Sequence, residues 1–129
     1  MSTSHEASPT EILRLFSDHM RRWTGRSPEV AETKDGFVVN GQRTEVRSIN
    51  ALANEFRLKA SQVDRCIEQR ACVLMVNGWG TPFPQFTVIP TEKLAVIKET
   101  TTPRGYEKWG GKPCYLLSSG WFTWTPLKA

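Results

Sequence analysis

The sequence predicts an α+β fold in which an N-terminal helix is followed by a β-hairpin, a helical pair and a mostly antiparallel sheet. Apolar residues recur at helical spacing near the N-terminus, which favours a helix there. After position 71, short β-prone segments alternate with turns rich in Gly, Pro, Asn and Ser, which favours strands. At 129 residues, of which 39% are hydrophobic, the chain can bury a core, and we expect residues 8–129 to form one domain.

The first helix is predicted over residues 9–23, after a polar segment, residues 1–7, that we expect to be a disordered tail. Ser8, Pro9 and Glu11 suit the N-cap, the first helical position and the acidic position of a capping box. Gly25 suits a left-handed C-terminal cap. The apolar side chains predicted to form one stripe along this helix are Ile12, Leu13, Leu15, Phe16, Met20 and Trp23.

A β-hairpin is predicted over residues 37–46, because Asn40-Gly41 lies between β-prone residues and both positions tolerate positive φ. Two helices are predicted next, at residues 49–57 and 60–70. The rest of the chain is predicted to form strands over 72–76, 85–89, 94–97, 113–117 and 121–125, with a longer loop over 100–108.

Residues 49–67 carry the pattern with the clearest functional meaning. Ala53 is a small residue inside the first predicted helix. Leu58 is apolar at or near the position just after the turn, and Val63 with either Cys66 or Ile67 is apolar at or near the inner-face positions of the second helix. This segment resembles the helix-turn-helix motif of DNA-binding proteins. The resemblance implies that the second helix lies in the major groove of duplex DNA. It assigns the contacts with phosphates and base edges to Lys59, Ser61, Gln62, Arg65 and Gln69.

The segment departs from that motif at two points. Arg57 stands where the turn usually has glycine, and Asp64 and Glu68 lie on or near the expected DNA face. The alternative is a pair of short helices packed on a sheet for structural reasons. Strands 72–76 and 85–89 suit the wing of a winged helix, but Trp79 and Phe83 give their connecting loop the character of a protein-binding surface.

Aromatic residues are concentrated in the C-terminal half, where nine of the thirteen lie after position 78. Interleaved with cations, they suit a surface that stacks on unpaired bases, a surface that anchors a protein partner, or simply the filling of a core. The interleaved cations are Lys93, Lys98, Arg104, Lys108 and Lys112. The predicted protein-interface residues are Trp79, Phe83, Trp109, Trp121 and Trp124.

Signs of catalysis are weak. No nucleophile elbow, P-loop, zinc-protease or dinucleotide-binding motif occurs, so we predict a non-enzymatic protein without a cofactor or metal. Glu92 and Glu99 lie near predicted strands, as nuclease carboxylates do, but without a clear partner carboxylate. The three cysteines include no CxxC pair and are predicted to be buried thiols, with a mixed metal site including His19 as the alternative.

The net charge of +4 is concentrated in residues 80–129, which contain six basic and three acidic side chains. This small excess permits contact with a polyanion without requiring it.

The N-terminal residues lack the basic and apolar segments of an export signal, and no apolar run is long enough to cross a membrane. We therefore predict a cytoplasmic protein that binds duplex DNA. The alternative is a protein-binding adaptor or inhibitor, by analogy with small proteins of phages and mobile elements.

Overall fold

The computed structural model describes residues 8–33 and 36–127. The predicted tail, residues 1–7, lies outside the described residues. The elements are, in chain order, α1 (Pro9–Thr24), β1 (Val30–Thr33), β2 (Gly36–Val39), β3 (Gln42–Ile49), β4 (Glu55–Lys59), α2 (Ala60–Glu68), β5 (Cys72–Asn77), β6 (Gln85–Ile89), α3 (Thr91–Thr100), β7 (Arg104–Tyr106), β8 (Lys112–Ser118) and β9 (Thr125–Pro126). The predicted α+β class, with an initial helix and a hairpin, is confirmed.

The strands form a larger and a smaller sheet. The larger sheet has the order β1-β2-β3-β5-β6-β9, and its neighbours are antiparallel except for β3 and β5, which are parallel. The smaller sheet has the order β4-β8-β7 and is antiparallel throughout. Leu74 and Val76 of β5 pack in one core cluster with residues of α1, whereas Val73 and Met75 pack in another with residues of α2, α3 and the smaller sheet. Both faces of β5 are therefore covered.

Helix α1 is confirmed, with one difference at each end. The Ser8 side chain makes no capping hydrogen bond, although its carbonyl accepts one from Ile12 at 3.1 Å. Gly25 has the predicted left-handed conformation, with φ of 76°. Ile12 and Phe16 are buried, but Trp23 is 74% exposed and does not belong to the buried stripe. Trp23 lies in the last turn of α1, where its ring packs beside His19 with centroids 6.1 Å apart.

The predicted hairpin is confirmed, because β2 and β3 pair antiparallel around Asn40 and Gly41. Both turn residues have positive φ, 50° and 80° respectively, as this short connection requires. The preceding strand β1, which extends the sheet by pairing with β2, was not predicted.

The first helix of the predicted pair is absent, and this part of the prediction is wrong. The Asn77 side chain accepts a hydrogen bond from Ala53 N at 3.0 Å and donates one to Ala53 O at 2.9 Å, which holds this loop against the end of β5. Residues 55–59 then form β4, because Phe56 and Leu58 alternate with charged residues and pair with β8. With a strand and no helix between β3 and α2, residues 49–67 do not have helix-turn-helix geometry.

Three other predictions differ from the structure. Residues 94–97 belong to α3 and not to a strand, since Leu94 and Ile97 are buried one helical turn apart. Residues 121–125 run from the last residue of a 3-10 turn (Ser119–Trp121), through an irregular segment, to the first residue of β9. Strands β5 and β6 do form a hairpin, but it lies inside the larger sheet and is not a wing. Within residues 8–33 and 36–127, no helix combines the length and the apolar character needed to cross a membrane.

Arg70, which follows α2, adopts the left-handed conformation with φ of 55°. Because a side chain disfavours this conformation and glycine does not, we expect Arg70→Gly to raise the free energy of unfolding by about 0.5–1 kcal/mol. Urea denaturation measures this change. Arg70→Ala is the control, since it removes the charge but keeps Cβ; a gain as large for alanine as for glycine would contradict the explanation.

Candidate nucleic-acid interface

The smaller sheet has one face toward the core and one toward solvent. Phe56 and Leu58 of β4 are buried opposite Leu117 and Tyr115 of β8. Because side chains alternate along a strand, the intervening residues lie on the outer face. The antiparallel register places these outer residues side by side: Arg57 opposite Leu116, both Lys59 and Arg104 opposite Cys114, and Tyr106 opposite Lys112.

Two cation–aromatic pairs lie on this outer face. The guanidinium carbon of Arg57 is 4.0 Å from the centre of the Tyr106 ring. The Lys59 ammonium is 5.4 Å from the centre of the Trp109 ring. The two rings pack edge to face, with centroids 5.1 Å apart and planes at 85°. These four side chains therefore form one connected cation–aromatic group, although they come from segments that are far apart in the sequence.

The outer face carries an excess of positive charge. Its cations are Arg57, Lys59, Arg104 and Lys112, whereas Glu55 is the one carboxylate in the three strands. Among the described residues, no carboxylate lies within ion-pair distance of any of these four cations. Their charge is thus not compensated by a neighbouring carboxylate and is available to attract a polyanion.

A groove of about 590 Å³ runs beside the cation–aromatic group. Aromatic and aliphatic side chains form part of its wall, namely Tyr106, Leu116 and Trp121. Both charged residues that line it, Arg57 and Arg104, are basic. The residues completing the wall are Thr100, Thr101, Thr102, Gly105 and Cys114.

The five residues predicted to contact DNA do not share one surface. Lys59 belongs to the outer face described above. Ser61 is exposed and Gln69 half-buried on or after α2. Gln62, predicted to point outward, is buried and donates a hydrogen bond to Glu45 at 3.2 Å. Arg65 also binds Glu45 instead of projecting freely, with Nε to Oε2 at 2.9 Å and Nη2 to Oε1 at 2.6 Å.

Glu45 is the buried centre of a cluster of polar side chains that it forms with Gln62, Arg65 and Arg47. Burial alone would raise its pKa, but hydrogen bonds from Arg65 and the Cys66 thiol, with the charges of Arg65 and Arg47, lower the pKa below its ordinary value of 4.5. Burial, followed by the charge of Glu45, raises the pKa of Cys66 to about 12, so the thiol remains a hydrogen-bond donor at neutral pH. The arrangement links β3 to α2 through charge-assisted hydrogen bonds.

The predicted aromatic interface residues also separate in the structure. Trp79 is only 9% exposed and packs in the core beneath α1, so its assignment to an exposed interface is wrong. Trp124 is half-buried against Phe56, and its indole N–H donates to Ser119 O at 2.8 Å. Trp109 and Trp121 lie at the outer face and its groove. Phe83 is 70% exposed on the loop between β5 and β6.

Arg57 is the member of the site that sequence reasoning missed, since the helix-turn-helix resemblance places it in a turn. Tyr106 belongs to the aromatic residues singled out in the C-terminal half, but its position in a predicted loop gave no indication of a strand face. The alternation of Glu55, Arg57 and Lys59 with apolar residues was the available signal for an exposed strand face. Arg104 and Lys112, recognised as cations among aromatic residues, do lie on this face.

The remaining candidates lie elsewhere. Glu92 and Glu99 are exposed on α3. Cys66, Cys72 and Cys114 are buried free thiols, as predicted, and His19 packs against Phe86 in the α1 core. No cluster of His, Cys, Asp and Glu suited to a metal occurs in the part of the chain that the structure describes. Comparison of the chain with protein-family models, curated proteins and solved structures found no match.

Proposed function

We propose that this protein binds nucleic acid through the outer face of the smaller sheet. The observation that carries the proposal is the cation–aromatic group: Arg57 and Lys59 lie over Tyr106 and Trp109 on a solvent-facing strand surface. Lysine and arginine neutralise phosphates, while aromatic rings stack on bases. The surface therefore combines the two kinds of contact that nucleic-acid binding uses.

The outer face fits this role better than α2 does. Gln62 and Arg65 are already hydrogen-bonded to Glu45, so contacting a base edge would require those bonds to break. Glu68 on the exposed side of α2 would also repel phosphate. On the outer face, the pairing of Arg57 with Tyr106 and of Lys59 with Trp109 holds two of the long cationic side chains in place and reduces the entropy lost on binding.

The test is a fluorescence-anisotropy titration with a labelled oligonucleotide across a salt series. We expect Arg57→Gln combined with Lys59→Gln to weaken binding at low salt. Each lost phosphate contact should reduce the slope of log K against log salt by about 0.7–0.9, so two lost contacts reduce it by about 1.4–1.8.

The matched control is Arg14→Gln combined with Arg22→Gln. It removes the same charge from exposed positions on α1, across the larger sheet from the outer face. We expect this control to change binding far less. An equal loss in both double variants would mean that overall charge and not the outer face drives binding, and no binding at low salt would overturn the proposed function.

We propose protein binding through Phe83 as a second candidate. Phe83 is 70% exposed between two prolines, and its N–H donates to Thr81 Oγ1 at 3.2 Å, so the ring is displayed on a constrained loop. Exposed aromatic side chains of this kind are common anchors of protein interfaces. The same titration distinguishes the candidates, since binding through Phe83 predicts no affinity for the oligonucleotide at any salt concentration.

A further inference from the structure

The groove beside the cation–aromatic group has two chemically different parts. Trp121 and Leu116 both line the groove and are 51% and 40% exposed, so they present apolar surface to a bound ligand. Arg57 and Arg104 line the same groove, and none of its lining residues is a carboxylate. Its volume of about 590 Å³ falls within the range of small-molecule sites. A ligand that fits both parts has a flat, weakly polar ring attached to an anion.

Trp121 is exposed but its backbone is firmly held. Its carbonyl accepts a hydrogen bond from Lys93 Nζ at 2.6 Å. The turn that carries it is closed by Phe122 N to Ser119 O at 3.2 Å and tied to the β4 side by Ser119 N to Asn54 O at 2.8 Å. Because this turn is already fixed, placing a ring against Trp121 costs little conformational entropy.

We propose that the groove holds one unpaired nucleobase of a single strand, stacked on Trp121, with the flanking phosphates on Arg57 and Arg104. The inference rests on the proposed function and adds its substrate class. A base inside a duplex is already paired and stacked, so it reaches such a groove only after those contacts are broken. The protein should therefore bind a single strand more tightly than a duplex of the same length.

The experiment compares three labelled probes of about 12 nucleotides, within the span that small single-strand binding folds cover. They are a mixed-sequence single strand, its duplex, and a strand of the same length in which every base is absent. We expect Trp121→Ala to weaken single-strand binding by about 5- to 150-fold and to leave the salt slope unchanged. The baseless strand should bind the variant and the unchanged protein equally, since it has no ring to stack.

Trp23→Ala is the matched control, because Trp23 is also highly exposed but lies on α1. Trp121→Phe keeps an aromatic ring in the groove and should restore most of the single-strand affinity. The baseless strand separates a loss of folding in Trp121→Ala from a loss of stacking, since an unfolded variant would lose affinity for that probe as well.

Two results would overturn the base groove while leaving the proposed function intact. The first is an equal affinity for the single strand and the duplex. The second is an equal loss of affinity in Trp121→Ala and Trp23→Ala. In both cases the Arg57→Gln and Lys59→Gln double variant would still reduce the salt dependence of binding. No binding of any probe at low salt would overturn both proposals.

Discussion

Trp79→Ala is expected to lower the free energy of unfolding by about 3–5 kcal/mol, as for other buried tryptophans. Trp79 follows β5, and its side chain fills the core between α1 and the larger sheet, with Phe16, Val76 and Phe86 in the same cluster. The backbone N–H of Trp79 also donates a hydrogen bond to Ile49 O at 2.9 Å, which ties the loop to the end of β3. Truncation would leave a cavity that this constrained region cannot easily close.

Chemical denaturation followed by circular dichroism measures the effect, and Phe83→Ala is the control within the same loop. Because Phe83 is 70% exposed, its truncation should change the free energy of unfolding by no more than about 0.5 kcal/mol. A small effect at Trp79, or similar effects at both positions, would contradict its role as a core residue.

Glu45→Gln is expected to destabilise the protein by about 2–3 kcal/mol at neutral pH. Glu45 is 7% exposed, and its carboxylate is bound by Arg65, Arg47 and Gln62. Glutamine has nearly the same shape but cannot neutralise the two guanidinium groups. The expected loss is smaller than the 3–5 kcal/mol typical of a fully buried pair, because both arginine side chains are 43% exposed and keep some hydration.

The destabilisation should depend on pH in a defined direction. Because folding lowers the pKa of Glu45, its ionised form contributes stability above the ordinary pKa of 4.5, and this contribution is lost as the pH falls through the lower folded-state value. The stability difference between the unchanged protein and Glu45→Gln should therefore be constant from about pH 7 to 5 and narrow below about pH 4.

Urea unfolding at several pH values measures this difference, with Glu68→Gln on the exposed side of α2 as the control. The control should have little effect at neutral pH. A Glu45→Gln difference that stayed constant, or widened, below about pH 4 would show that the carboxylate is not held in its charged form.

The Glu45 cluster also explains why α2 resembles a DNA-reading helix in sequence but not in structure. Gln62 and Arg65 are residue types that read base edges, and their spacing suits an exposed helix face. In the folded protein they lie over β3 instead, where Glu45 needs donors. A buried carboxylate is costly without such partners, so the packing of α2 on the larger sheet determines their role.

The sequence alone determined the elements whose signals lie within a few residues of each other. The spacing of apolar residues and the Gly25 cap specify α1, and Asn40-Gly41 specifies the β2–β3 hairpin, since both depend on local backbone geometry. The β-prone segments of β5, β6 and β8 are specified in the same way, and so is the helical character of α2.

Only the tertiary structure decided the secondary structure of residues 49–59 and which side chains lie together on the outer face. Ala53 is held in its loop by a hydrogen bond to Asn77. The alternation within residues 55–59 is compatible with a strand, but only the pairing of β4 with β8 selects the strand over the predicted helix. The same pairing brings Arg57 to Tyr106 and Lys59 to Trp109. Long-range strand pairing here overrides the local helical preference of residues 49–57. The sequence therefore shows which cations and aromatic residues the chain contains, but not that they lie on one face of a sheet.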